Sequence, residues 1–589
     1  MRMGIENGWT KLEAGDLQGA EQAFRQALAS DPKDVNALHG MGRVAMAARR
    51  FDIATDLLNQ AKSLAPEIER ITLDFLQACA ALSAMQPGNA LAHYALAQGL
   101  LGAGDIEAAR DALLATLLAD PGHVQARWMV NRLLPRVYVN PQEIALWRRR
   151  AATGVAILEA TVDPKTPEQA GHELQGLLVR TNFELAYQGQ DDKPLQLSYG
   201  RLVQRVMTAW LPDLAEPPGP VPFAFREDKR IRIGFASSFF TSHTIGLLFA
   251  GWIRHLDRKR FVVHSYLTNS KPDVSTKVLA GMCDVFRDLS GDLAEAARLI
   301  RADKLDALIY PDIGMDPRSQ ALAALKLAPM QMTSWGHPVT SGLPSIDYFL
   351  TSDLMEPDEG DKFYSERLVR LPNISVAYHP SSLPQVKSRA DFGLPADAVL
   401  YLCCQALQKY LPQFDAVFPA IAKQVQDSRF IFIRHKTRHI DNRRFQMRLE
   451  AAFKAAGLDP ARHLVFIPWL DWTDFLDLNG VADVFLDSIG WSGGNTTLEA
   501  LSRHLPVVTL PTGLMRGRHA HAILKRLGLD DCIAKDLEGF VATAVKLGTD
   551  GAFRSGIRGR IEAGKGALFD DTSPVRALEA FVTKAVGVG

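Results

Sequence analysis

Residues 482–501 read Ala482-Asp483-Val484-Phe485-Leu486-Asp487-Ser488-Ile489-Gly490-Trp491-Ser492-Gly493-Gly494-Asn495-Thr496-Thr497-Leu498-Glu499-Ala500-Leu501. A short apolar strand ends near Asp487, a glycine-rich loop follows, and a helix begins near Asn495 or Thr496. The open N–H groups and dipole of such a helix start favour an anion, and the adjacent hydroxyls add donors. The stretch therefore reads as a candidate phosphate site, with Glu499 one turn in and able to accept from ribose hydroxyls. Helix capping by Asn or Thr is the competing reading.

Working outward, the same alternation of short apolar runs and helical segments surrounds this unit. Residues 399–404, 429–434, 464–467, 484–487 and 507–510 form one series of strands, and 231–236, 261–266, 307–310 and 330–335 form an earlier one. Helices fall between them, from about Thr244 and over 292–302. Such alternation argues for parallel α/β sheets, here two Rossmann-like halves with a cleft at the carboxyl ends of their strands. Glu216-Pro217-Pro218-Gly219-Pro220 reads as a linker before the first half.

N-terminal to that linker the pattern is helical and, at first, repeated. Pro32 and Pro66 lie 34 residues apart, as do Pro87 and Pro121; Ala20 recurs as Ala54, Ala27 as Ala61, and Ala14-Gly15-Asp16 as Ala103-Gly104-Asp105. The period resembles the tetratricopeptide pattern, whose helix pairs bury apolar faces against their neighbours, and implies that 1–135 binds protein. Residues 136–225 read as a helical connector, with an amphipathic run over 202–210. The run Trp147-Arg148-Arg149-Arg150 reads as a solvated helix face.

The chain has 589 residues, with Lys+Arg 66 and Asp+Glu 66. Zero net charge gives no global case for a nucleic-acid or membrane-surface partner. A hydrophobic share of 47% and a charged share of 22% suit several globular cores rather than long disorder. The five cysteines lack C-x-x-C spacing, which argues against zinc clusters and disulfide frameworks. No spanning apolar run and no secretory leader are evident, so the expected compartment is the cytoplasm. H-E-x-x-H, Walker and D-x-D motifs are absent from the sequence, which removes the support for metalloprotease, P-loop and metal-dependent sugar-transfer readings.

Three further residues stand at strand ends. Lys409 follows the first strand of the second half, where an ammonium can reach a diphosphate and neutralise a leaving group, or can simply be a surface lysine. His243 follows the first strand of the first half, as a candidate base or orienting group or as a helix cap. His337, flanked by Gly336 and Pro338, occupies a similar place after a later strand.

The run WGHPVTSGLPSIDY at 335–348, with Phe363-Tyr364-Ser365-Glu366-Arg367-Leu368 and Leu371-Pro372 after it, resembles the catalytic region of O-GlcNAc transferases. The Lys409 segment, Asn495-Thr496-Thr497, Val507-Val508-Thr509-Leu510-Pro511 leading to Arg518, and residues 545–550 follow in that family's order. The resemblance covers roughly 225–589. It implies a tetratricopeptide array followed by a GT-B fold, with boundaries at 1–135, 136–225, 226–388 for the acceptor lobe and 389–589 for the donor lobe. It also implies an inverting, metal-independent enzyme moving GlcNAc or another hexose from a nucleotide-sugar, most simply a UDP-sugar, to Ser/Thr of a protein recruited by the repeats. No tightly bound cofactor and no metal are expected.

By the same resemblance Lys409 contacts the diphosphate, Thr496 and Thr497 the phosphate-binding helix start, and Gln405 and Arg518 the donor pocket; Phe475 stands near the place of a uridine-packing His, keeping a ring without its polar atoms, and His243 aligns with an active-site histidine. Gly336, His337 and Pro338 would lie on the acceptor or sugar side. Phe239 stands where the family usually has an acid, and Asn495 where it has His. Residues 310–315 and 336–338 look more like bacterial cytoplasmic N-glucosyltransferases that modify adhesins on asparagine. Transfer to Asn, a flagellin- or adhesin-type enzyme with another sugar, a polysaccharide acceptor and a non-catalytic scaffold therefore stay open.

Overall fold

The computed structural model describes residues 2–219, 228–380 and 383–587. The expected boundary at 225/226 and Pro220 of the linker lie outside them. The chain forms two compact units, one of residues 1–136 with 434–446 and one of 137–433 with 447–589.

The first unit is helical: α1 (Arg2–Glu13), α2 (Leu17–Ser30), α3 (Val35–Ala47), α4 (Phe51–Leu64), α5 (Glu69–Met85), α6 (Ala90–Ala103), α7 (Ile106–Ala119) and α8 (Val124–Val130). The repeated Ala-Gly-Asp is a stop and a start in one turn. Gly15 and Gly104 take φ of +81° and +100°, which glycine adopts without steric cost, and the next residue caps the following helix, Asp16 accepting from Gly19 N–H and Asp105 from Ala108 N–H. The recurring Ala20, Ala27, Ala54 and Ala61 are all buried where helices pack. The period has one interruption: α5 is entered and left through proline turns, at Pro66 and Pro87, so it stands as a single helix between the pair α3/α4 and the pair α6/α7. Within this unit Arg438 Nη1 donates to the Leu101 carbonyl at 3.0 Å and Arg443 pairs with Glu69.

The second unit opens with the helices Pro141–Thr161, Pro167–Leu177 and Lys193–Trp210 and the short turn Phe183–Gln188. Two all-parallel sheets follow. The first holds β1 (Ile231–Ser237), β2 (Phe261–Leu267), β3 (Val285–Asp288), β4 (Ala307–Tyr310), β5 (Met330–Ser334), β6 (Tyr348–Ser352) and β7 (Arg367–Leu371), in the order β3-β2-β1-β4-β5-β6-β7. The second holds β8 (Val399–Cys403), β9 (Ser428–Ile433), β10 (Leu464–Ile467), β11 (Val484–Leu486) and β12 (Val507–Val508), in the order β10-β9-β8-β11-β12. Three strands, β3, β6 and β7, add to those expected from the sequence, and β12 is shorter than expected.

Helices on both faces keep the central strands dry, which is why β4 and β5 are buried at every position and read as continuous runs rather than alternating ones. Each sheet reverses its strand order once, between β1 and β4 and between β8 and β11. Loops at such reversals splay apart and leave a crevice. The last helix, Ser573–Ala585, returns to the first lobe, where Glu579 Oε1 accepts from Asp257 N–H at 2.7 Å.

Candidate functional site

The reversal in the second sheet brings the loop after β8 against the loop after β11. Backbone bonds from Lys409 N–H to the Ala406 carbonyl and from Tyr410 N–H to that of Leu407 fold the first loop into a tight turn. This turns Lys409 back so that its Nζ donates to Gln405 Oε1 at 2.8 Å. The other end of the same amide, Gln405 Nε2, donates to Thr496 Oγ1 at 2.5 Å. The ammonium also lies 5.6 Å from the centre of the Trp491 ring, within cation–π range.

Gly493 is small for a reason the structure makes plain: a Cβ there would stand 2.3 Å from Gln405 Nε2 and 2.5 Å from Thr496 Oγ1. Gly490, with φ of +104°, makes the turn that leads into this stretch. Asp487 fixes the loop from beneath, accepting from Ser492 Oγ at 2.6 Å, Gly493 N–H at 2.7 Å and Thr509 Oγ1 at 2.7 Å.

The helix that follows is Asn495–Ser502, with Gly494 at its N-cap and no side chain capping it. The capping reading of Asn495 and Thr496 is therefore not what the structure shows. Thr496 accepts from Gln405, Thr497 Oγ1 donates to the Gly493 carbonyl at 2.7 Å, and Asn495 Oδ1 is buried without a partner. An uncapped helix start beside an ammonium is an anion-binding arrangement. The electrostatics agree. Burial pulls the Lys409 pKa down to about 8, opposed by Asp487, and pushes that of Asp487 up to about 6. An anion arriving beside Lys409 would restore the charge that burial disfavours.

One turn further, Glu499 Oε1 already accepts from Trp472 Nε1 at 2.8 Å, and burial raises its pKa to about 7. Phe475 lies one turn beyond Trp472 on the helix Trp472–Val481, half-buried. Arg518 points elsewhere: its Nε donates to the Met355 carbonyl of the first lobe at 3.0 Å and its Nη2 lies 3.3 Å from His521 Nε2.

In the first lobe His243 is the N-cap of the helix Thr244–His255. Its Nδ1 accepts from Ile245 N–H at 3.2 Å, its ring packs 4.4 Å from that of Phe239, and burial lowers its pKa. The cap reading of this histidine thus holds, with the second nitrogen left for other partners. Gly336 is seated by its N–H on the Pro311 carbonyl at 3.0 Å, and Pro338 is buried. His337 is 2% exposed with Nδ1 unpartnered, and burial pulls its pKa to about 3, so it is a neutral ring. The two quoted motifs of this lobe meet: Glu366 accepts from Thr340 Oγ1 at 2.6 Å and from Ser341 N–H at 2.8 Å.

Aromatic side chains join the lobes. Trp491 of the second lobe lies 6.2 Å from His337 of the first and stacks at 4.3 Å on Tyr187 of the connector. Trp335 of the first lobe lies 5.2 Å from His519 of the second, whose Nδ1 donates to the Ser492 carbonyl at 3.2 Å and whose Nε2 is buried without a partner. Gln405, Lys409, Thr496 and Thr497 are thus gathered in one cluster and His337 reaches it across Trp491, whereas His243 and Arg518 bond to other partners outside the cluster.

Sequence reasoning passed over Asp487, Trp491 and His519 as functional candidates, and Arg516, which pairs with the buried Asp192 at 3.1 Å. For His519 the only signal is its place next to Arg518; for Asp487, its place at a strand's carboxyl end. Among the described residues no group of three or more His, Cys, Asp or Glu side chains is placed to hold a metal ion, and no helix is long and apolar enough to cross a membrane.

Comparison with known proteins gives this geometry a family. Residues 11–71 and 77–130 match tetratricopeptide repeat families. A probable UDP-N-acetylglucosamine--peptide N-acetylglucosaminyltransferase SPINDLY of Solanum lycopersicum is 27% identical over 369 residues, covering 60% of this chain and 38% of the relative. A probable UDP-N-acetylglucosamine--peptide N-acetylglucosaminyltransferase SEC of Arabidopsis thaliana is 27% identical over 332 residues, covering 54% and 33%. The alignments thus span only about a third of these relatives' own length. A mutant of Thermobaculum terrenum O-GlcNAc transferase has the same fold, with TM-score 0.61 and 22% identity over 99% of this chain and 97% of that one. The profile of glycosyl transferase family 41 matches residues 220–379 and 375–573, most of the α/β unit, and the chain belongs to that family.

Proposed function

We propose that the protein transfers a sugar, GlcNAc or another hexose, from a UDP-sugar to a hydroxyl of an acceptor protein, with inversion and without a metal ion. The observation that carries this reading is the bonded series Lys409–Gln405–Thr496 at an uncapped helix start, at the strand reversal of a family 41 lobe. The Lys409 ammonium and the N–H groups around Thr496 hold the donor's diphosphate and take up the charge that grows on it as the glycosidic bond breaks. Thr497 fixes the loop by its bond to Gly493, and Gln405 holds Lys409 and Thr496 in register, so little reorganisation accompanies the reaction.

The attacking oxygen belongs to the acceptor. His243, at the reversal of the first sheet, is assigned to the acceptor side; burial lowers its pKa and so favours the neutral ring, the form a proton acceptor needs. The helices before residue 136 bring the acceptor protein. Relatives named as acting on peptides support the class of acceptor. Mass spectrometry of proteins co-expressed with the wild type and with Lys409→Ala tests the reading: a hexose or N-acetylhexosamine mass on Ser or Thr that vanishes with the variant is expected. No added mass, or one indifferent to the substitution, would refute it.

A further inference from the structure

The connector segment 183–192 belongs to neither sheet, yet it touches both loops that carry the Lys409–Gln405–Thr496 series. Its turn Phe183–Gln188 is buried from Glu184 to Gln188 and ends at Gly189, whose φ of +67° redirects the chain. A Cβ at Gly189 would stand 3.3 Å from Leu411 Cδ1, two residues beyond Lys409 on the loop after β8. Tyr187 stacks on Trp491 of the loop after β11, with ring centres 4.3 Å apart and planes 20° from parallel. Phe183, from the start of the same turn, lies 6.2 Å from Trp491 and 5.1 Å from His337 of the first lobe.

A second tie runs beside the stack. The buried Asp192 pairs with Arg516 at 3.1 Å and with Arg148 at 2.8 Å. Arg516 Nη2 also donates to the Gln190 carbonyl at 2.6 Å, and the Arg516 carbonyl accepts from Ser492 N–H at 2.8 Å. Arg148 donates to Gln188 Oε1 at 3.1 Å as well, so this member of the arginine run is turned inward rather than solvated. The connector thus grips the glycine loop at two neighbouring residues, Trp491 directly and Ser492 through Arg516. Desolvation cancels much of the Coulomb gain in such buried pairs, and what remains is a fixed position for the loop.

Trp491 matters to the chemistry because its ring centre lies 5.6 Å from the Lys409 ammonium. A lysine head on its flexible four-carbon stem is held in one place only by what it touches. Here Gln405 Oε1, at 2.8 Å, and the Trp491 ring do so. We propose that Tyr187 is a positioning residue for the donor's diphosphate: by fixing the Trp491 ring it sets the Lys409 ammonium beside the Thr496 helix start. The inference rests on the transferase reading, because it takes that reaction's diphosphate as the group Lys409 meets. It makes the connector a working part of the donor site, and not only a link between the repeats and the sheets.

Calorimetric titration of the full chain with UDP, uridine and inorganic pyrophosphate tests it. Tyr187→Met, which keeps bulk and loses the ring, should weaken UDP and pyrophosphate binding about threefold to tenfold and leave uridine within about twofold. Tyr187→Phe, which keeps the ring, should bind all three as the wild type does. In a Lys409→Ala background Tyr187→Met should have no further effect on UDP, because the group it positions is gone. Thermal melting checks folding, and Tyr187→Leu, smaller and equally ringless, replaces Tyr187→Met should the latter not fold. UDP affinity unmoved by the loss of the ring, equal losses for UDP and uridine, or the same loss without Lys409 would overturn the proposal. A wild type that binds pyrophosphate but does not favour UDP over uridine would tell against the transferase reading alone, with the pyrophosphate titrations deciding Tyr187. A wild type that binds neither UDP nor pyrophosphate would overturn both.

Discussion

The two strand reversals of the α/β unit are built from the same topology and furnished differently. After β8 and β11 the polar side chains bond to one another: Lys409 to Gln405, Gln405 to Thr496, Asp487 to Ser492 and Thr509. After β1, at the reversal, and after β5, one strand beyond β4, the histidines are tied to backbone or packed on rings: His243 caps a helix and His337 sits between Phe183 and Trp491. The first arrangement fixes a cation and hydroxyls ahead of any ligand, as stabilisation of developing charge requires. The second keeps neutral imidazoles in place with nitrogens to spare. A shared fold thus yields a cluster of mutually bonded polar side chains in one lobe and imidazoles held by a helix cap and by neighbouring rings in the other.

Several substitutions would break or sharpen this contrast. The largest effect is expected for Lys409→Ala, about 10²–10³-fold in turnover, because the lost ammonium faces the growing charge; steady-state UDP release measures it, and a loss under threefold would place the charge elsewhere. Next, Gly493→Ala drives a methyl into Gln405 and Thr496 and should cost about tenfold in donor affinity together with about 1–3 kcal/mol of stability. Donor titration and thermal melting report the two separately.

The pH dependence is smaller and has a definite sign. With the Lys409 pKa at about 8, deprotonation above that pH removes the cation, so donor affinity falls by up to about tenfold per unit. The unfolded chain meanwhile holds that proton up to the ordinary lysine value of 10.5. Between about 8 and 10.5 the unfolded state therefore binds more protons, and the Lys409 contribution to stability rises with pH. Wild type minus Lys409→Met should show affinity and Tm moving in opposite directions across this window. The smallest effect distinguishes the other lobe: His243→Ala should cost about 0.5–2 kcal/mol for the lost cap, and His243→Asn much less, since Asn caps well. If both variants lose turnover alike while only the first loses stability, the ring does more than cap.

The sequence disclosed those parts of the molecule that are locally determined. The strands β4 and β10 are continuous apolar runs, β1 is one broken by Arg232 and ending in Ser237, and the Ala-Gly-Asp turns and the strand–glycine–helix unit at 482–501 are punctuated by residues with special backbone roles. The strands that escaped have mixed faces: β3 is Val-Phe-Arg-Asp at a sheet edge, β7 is Arg-Leu-Val-Arg-Leu at the other edge, and β6 mixes aromatic with polar residues that are buried. Half-exposed edges do not look apolar, and buried hydroxyls do not look like core. The lone helix α5 was hidden because the period resumes intact after it.

Within the crevice, the placement of Lys409 and Thr496 was legible from their positions at strand and helix ends. The tie between them was not, since Gln405 lies 91 residues from Thr496 and only the β8–β11 pairing brings them together. Trp491, Tyr187 and His337 come from three distant segments, so no spacing rule could have joined them.

The central claim is that Lys409 and the Thr496 helix start hold a diphosphate between them. Calorimetric titration of the wild type and Lys409→Ala with UDP and with uridine tests it most directly. The account predicts that the wild type binds UDP far more tightly than uridine, and that the variant loses about tenfold or more in UDP affinity while its uridine affinity stays put. Equal UDP affinity in the two proteins, or a wild type that does not distinguish UDP from uridine, would contradict it.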